Sequence, residues 1–307
     1  MIVRRTLPFK WFLQIDGWAV LFYTLYGYGI CTLHLEFFFE KLAFPFTGMS
    51  VFGTAVAILL AFRNNSAYER YWEARITWGE LTNYSRNFAS QVLVYIQPPQ
   101  GSDAQPGQVE ELHREFIYRH LAFLVALRLQ LREGYASNAL SSFITKAELV
   151  RLEAVANRAT QLNHWQAKRL QEVFDAGWIA PRAYVMGLME SLKDFYIAQG
   201  KCERIKNTPL PRQYGFFTKI FVWTFLLLLP FSLVQHLGWE TLPIYVMLAF
   251  MFTVMERVGS RTEDPFDGKN EDVPMIAICR TIEIDLRQQL GETSVPPKIE
   301  PIEGVLM

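Results

Sequence analysis

Four long apolar segments limit what this chain can fold into. The first runs from about Trp18 to Phe39 and carries His34 and Glu36 near its far end. The second, Phe46 to Phe62, and the third, Ile220 to Trp239, hold no formal charge, and the fourth runs from Thr241 to Met255. A helix perpendicular to a bilayer needs ~20 apolar residues. The second and fourth segments are short by that measure, and helical continuation, tilt or burial between neighbours makes up the difference. Two of the segments alone would suit core helices of a soluble protein. The third is too long and too apolar for that role, so the pattern predicts an all-α membrane protein with four transmembrane helices.

Composition agrees with a protein partly in lipid and partly in water. Of 307 residues, 51% are apolar and 15% aromatic, both high for a soluble chain. Yet 20% are charged, too many for a chain lying wholly in the membrane. The 30 basic and 30 acidic residues balance, which gives no global electrostatic reason for a nucleic-acid partner. Basic residues collect on one side of the spans. Arg4, Arg5 and Lys10 precede the first, and Arg63, Arg70 and Arg75 follow the second. Arg257 and Arg261 follow the fourth, whereas Lys41 alone lies between spans one and two and no Lys or Arg separates spans three and four. Both termini and the middle stretch are therefore expected in the cytosol, at the inner membrane. Met1-Ile2-Val3-Arg4-Arg5 does not make a secretory signal.

Residues 64–215 read as mostly helical. Leu121, Phe123, Leu124, Leu127 and Leu131 recur at helical spacing, as do Leu149, Leu152 and Val155, then Leu170, Val173 and Phe174, then Leu188, Leu192 and Phe195. Residues 97–107, rich in Pro, Gly and Gln, form a connector, and the tail from about Ser294 is expected to fray. The chain divides into an N-terminal part with spans one and two (1–75), a cytosolic helical region (76–214), spans three and four (215–256), and a cytosolic C-terminal helix with its tail (257–307).

Catalytic and metal chemistry finds little footing, and neither enzyme activity nor a cofactor is expected. Cys31, Cys202 and Cys279 are far apart and odd in number. No HExxH, GxSxG, P-loop or dinucleotide fingerprint occurs. His113 and His120 lie seven apart on one expected helix, a spacing that surface or core histidines explain better than a metal pair. Asp264, Asp267, Glu271 and Asp272 form an acidic patch, but Lys269 interrupts it and the EF-hand order is missing, so a solvated turn is the better reading.

The second span carries a pattern of its own. Thr54, Ile58 and Phe62 are four apart and share one helical stripe, with Gly53, Ala57 and Ala61 on a stripe of small residues beside it. Small stripes let membrane helices approach closely. A ring of identical copies would use the small face against a neighbour and the bulky face toward the axis. The same spacing also suits ordinary helix packing with Phe62 in lipid, and periodicity does not choose between them.

Three blocks add a resemblance. Residues 62–75, FRNNSAYERYWEAR, resemble a hallmark of bacterial bestrophin homologues. So do residues 202–211, CERIKNTPLP, and the pair of blocks at 263–266, EDPF, and 270–274, NEDVP. They stand in the family's order among four spans, and the resemblance covers about residues 1–292. It implies a homopentamer in membrane lipid, with one axial pore for monovalent ions. The neck would be Thr54, Ile58 and Phe62, although Thr54 stands where relatives carry a bulky apolar residue. A second, cytosolic aperture is implied at Ala183, again smaller than the family's aliphatic residue. Animal relatives build a calcium clasp on the acidic segment, and Lys269 in its middle implies that calcium does not gate this chain. Chloride channels in the family and cation-conducting bacterial relatives leave the charge preference open. Two rivals remain: a membrane transporter, in which Pro230 would be the only helix interruption, and a non-conducting scaffold or sensor.

Overall fold

Fifty residues without a proline, from Phe46 to Tyr95, form one uninterrupted α-helix. Pro45 precedes it and Pro98 follows it, positions that tolerate proline's fixed φ and missing N–H. The computed structural model describes residues 1–4, 9–37, 44–99, 101, 107–134 and 137–307. Arg5 and Lys41, the end of the first apolar segment at 38–39, and residues 100 and 102–106 of the connector lie outside the described residues. The helices in chain order are α1 (Phe9–Leu35), α2 (Phe46–Tyr95), α3 (Gln108–Leu131), α4 (Ser137–Leu140) and α5 (Lys146–Glu153). Then come α6 (Arg158–Asp175), α7 (Arg182–Asn207), α8 (Arg212–Leu237), a 3₁₀ turn (Gly238–Glu240), α9 (Thr241–Thr262) and α10 (Met275–Gln289). Among the described residues there are isolated β-bridges but no sheet.

The chain forms two compact units. The apolar unit is Arg4–Tyr71 with Pro209–Asp264, so α1, the start of α2, α8 and α9 belong to it. Its core joins Tyr23, Val56 and Leu60 to Phe225, Leu226 and Leu229 of α8 and Tyr245, Ala249 and Phe252 of α9. Two glycines permit close helix approach here. A Cβ on Gly27 would stand 2.7 Å from the Tyr245 ring, and one on Gly53 2.8 Å from the Phe225 ring. Helix α8 continues through Pro230. Among the described residues, two helical stretches are long and apolar enough to cross a membrane by length and composition: Phe46–Tyr95 and Arg212–Thr262.

The charged unit is Met1–Val3, Trp72–Thr208 and Pro265–Met307. The periodic runs lie on helices except for Val155, which falls beyond the end of α5, and Leu121, Leu124, Leu127, Leu152, Leu170, Leu188, Leu192 and Phe195 are buried. Local signals set the helix starts. Thr145 caps α5 in a capping box with Glu148, and Asn157 caps α6 by accepting from the Thr160 N–H. The tail is bonded to the N-terminus and to α10. Its Val3–Gly304 and Leu306–Met1 backbone bonds, the Ala277 N–H to the Met307 carbonyl, and Arg280 to the Pro297 carbonyl tie it down. Composition gives no sign of this backbone pairing between residues far apart in sequence.

His113 and His120 are core histidines. His113 Nε2 bonds the Ile96 carbonyl at 2.9 Å, and His120 Nε2 bonds Ser85 Oγ at 2.8 Å while stacking on Phe195. Burial pushes His120 down to about 3. Its folded value lies below its unfolded one, so its stability contribution is present above pH 6.5 and lost as pH falls from there toward 3. Wild type should lose about 2 kcal/mol between pH 7.5 and pH 5 from this group. Thermal melts should show a flatter acid limb in His120→Phe, and an identical limb would refute the assignment.

Candidate functional site

Along the start of α2 the side chains part into two faces. Val56, Leu60, Arg63 and Ala67 are buried. Opposite them Thr54, Ile58 and Phe62 are exposed, with 51% of Ile58 and 65% of Phe62 open. An apolar helix face turned out of its own chain needs another partner: lipid, a neighbouring copy or a pore axis. Thr54 Oγ1 donates to the Ser50 carbonyl at 2.9 Å, turning its hydroxyl back onto the helix. The same face continues through Asn65 and Glu69, both exposed, with Asn65 Nδ2 donating to Glu69 Oε1 at 2.8 Å.

The small stripe divides. Gly53 meets Phe225 of α8 in its own chain, and Ala57 packs half-buried against the same core. Ala61 alone of the three is exposed. Of the two readings that periodicity left open, ordinary packing within the chain accounts for Gly53 and Ala57.

Directly after Phe62 the helix is fastened to α9. Arg63 Nη1 donates to Glu256 at 3.2 Å and Nη2 to Glu263 at 3.3 Å, with 4% of the arginine side chain accessible. Arg70 Nε donates to the Glu263 carbonyl at 3.0 Å. Asn64 Nδ2 donates to the Met255 carbonyl at 3.0 Å. This seat demands glycine at 259, where a Cβ would stand 1.9 Å from Asn64 Oδ1. Gly259→Ala must push the amide off its carbonyl, at a cost of about 1–3 kcal/mol. A lowered melting temperature in detergent is the expected result, and an unchanged one would show that Asn64 is not held there.

Arg63, Asn64 and Arg70 of this fastening belong to the first sequence block, and Glu263 to the third. A model of the family described as Bacterial/Fungal Bestrophin protein matches residues 17–288. The chain belongs to the bestrophin family. Among its relatives is the voltage-dependent anion channel-forming protein YneE of Escherichia coli (strain K12), 33% identical over 84% of this chain and 81% of the relative. A voltage-dependent anion channel-forming protein of Mesorhizobium japonicum is 32% identical over 98% of this chain and 90% of its own. In fold, this bestrophin is similar to the crystal structure of a bacterial bestrophin homolog from Klebsiella pneumoniae. The TM-score is 0.81 at 24% identity, covering 90% of this chain and 98% of that one.

In this bestrophin the acidic residues after α9 are engaged by other groups. Asp264 pairs with Arg212 at 3.4 Å. In the charged unit Asp267 pairs with Lys206 and Lys269, each at 3.1 Å. Burial would raise the Asp267 carboxyl, but the two lysines outweigh it and hold it low. Buried Asp272 accepts from the Gly268 and Lys269 N–H groups, and burial pushes its carboxyl up against those bonds. Among the described residues no cluster of three His, Cys, Asp or Glu could hold a metal ion. Ala183 sits exposed in the first turn of α7.

Sequence reasoning missed Glu256, Gly259 and the pairing of Glu263 with Arg63. An arginine directly after an apolar run was the available signal, since a charge held at the end of a membrane span calls for an acidic partner.

Proposed function

We propose that this bestrophin is one subunit of a homopentameric ion channel of the inner membrane. In this reading α1, the start of α2, α8 and α9 are its four membrane helices, and both termini are cytosolic. Small monovalent ions pass a neck lined by Thr54, Ile58 and Phe62, with a wide second aperture at Ala183. Five Phe62 rings make an apolar collar that gates by dewetting. The relatives named as anion channel-forming support anion conduction as the main activity, and aromatic edges at the collar, partly positive, suit anions. Ala61 is left to pack against the neighbouring copy. Exposed Trp18, Leu25, Phe216 and Phe217 of α1 and α8 face lipid.

The observation that carries this reading is the exposed face of α2. That face runs on without a break from Ile58 and Phe62 to Asn65 and Glu69, as a path leading from an apolar neck into water would require. A water-filled axis accepts all four. Native mass measurement of the purified protein in detergent is the test. A pentamer is expected, and a monomer or dimer would overturn the proposal in favour of a transporter or a scaffold.

A further inference from the structure

Glu69 stands seven residues beyond Phe62, close to two helical turns and about 20° off its direction. At the α-helical rise it lies about 10 Å along the axis from the collar residue. It is exposed, and the partner of its carboxylate is the neutral Asn65 amide at 2.8 Å. The next carboxylates along α2 are neutralised. Glu73 pairs with Arg204, and Glu80 pairs with Lys201 at 2.8 Å. Among the described residues no cationic side chain forms an ion pair with Glu69. Among the described residues Glu69 is thus an uncompensated charge on the face that carries Ile58 and Phe62.

We propose that Glu69 is a charge-selectivity residue of the pore, an inference that rests on the pentameric reading of the neck. Copied round the axis, it forms a ring of carboxylates at the inner mouth of a collar that has no formal charge of its own. A separation of about 10 Å is comparable with the Debye length of about 8 Å at physiological salt, so the ring still acts on an ion in the collar. It enriches cations and depletes anions at that mouth. Asn65, by donating to Oε1, holds the carboxylate on the pore face. The ring therefore limits the anion preference that the collar itself would set.

Reversal potentials in planar bilayers under a potassium chloride gradient test this, comparing wild type with Glu69→Gln, Glu69→Lys and Glu69→Asp. The anion-to-cation permeability ratio should rise about threefold or more from wild type to Glu69→Gln. It should rise again in Glu69→Lys, with both shifts larger at low salt. Glu69→Asp keeps the charge and should keep the wild-type potential. Conducting variants with the wild-type reversal potential would overturn the proposal and leave the channel reading standing. So would a shift in Glu69→Asp as large as that in Glu69→Gln, since shape rather than charge would then be at work. Wild-type protein without current would overturn both. Should Glu69→Lys fail to assemble, the near-isosteric Glu69→Gln carries the test alone.

Discussion

Channels carrying Phe62→Ala will conduct several times more current than wild type while keeping their oligomeric size. Phe62 is exposed on its own subunit, so truncation removes little of the subunit's core and leaves its stability close to wild type. In the proposed channel it removes the bulk of an apolar collar, where a few ångströms of radius decide between a dewetted and a wetted pore. Single-channel recording beside sizing of the same preparation separates the two properties. Equal currents from wild type and Phe62→Ala would mean that the ring does not narrow the path. Loss of the oligomer would mean that Phe62 is packed against a neighbour instead.

Arg63→Met will be among the most destabilising single changes in the apolar unit. It leaves Glu256 and Glu263 without their shared cation, with 18% and 9% of their side chains accessible. Removing one partner of a buried ion pair costs about 3–5 kcal/mol, because the remaining charge stays desolvated. Replacing the whole cluster by neutral groups is far milder, so Arg63→Met combined with Glu256→Gln and Glu263→Gln should recover much of the loss. Thermal unfolding in detergent reads both variants. A triple variant no more stable than Arg63→Met would show that the arginine matters by its shape rather than by its pairing.

That Thr54, Ile58 and Phe62 share one face of α2 was legible in the sequence, because four-residue spacing places residues on a helix without reference to anything else. The periodic leucines of α3, α6 and α7 were legible for the same reason, and they are buried as their spacing predicts. Less legible was whatever depends on a distant partner. The stripe of Gly53 and Ala57 marks a groove, but only three-dimensional contact says that Phe225, far along the chain, fills it. Arg63 and its two glutamates are 193 and 200 residues apart, beyond any local pattern. The continuity of α2 was hidden by the abrupt change from apolar to charged residues at Phe62, which reads as two segments although the backbone has no reason to break. The tail's backbone bonds to the other terminus were not legible either, because Pro and Glu content speaks only to whether a segment can build a core.

Whether the face of Thr54, Ile58 and Phe62 lines an aqueous ion path is tested most directly by cysteine accessibility. The background suits the experiment. Cys31, Cys202 and Cys279 are all buried, and burial pushes the thiols of Cys202 and Cys279 up to about 12, leaving little reactive thiolate at neutral pH. A water-soluble, charged thiol reagent should block currents through Ile58→Cys, and leave Val56→Cys, on the buried face two residues away, untouched. Unaltered current through reagent-treated Ile58→Cys, with block of Val56→Cys instead, would contradict the account.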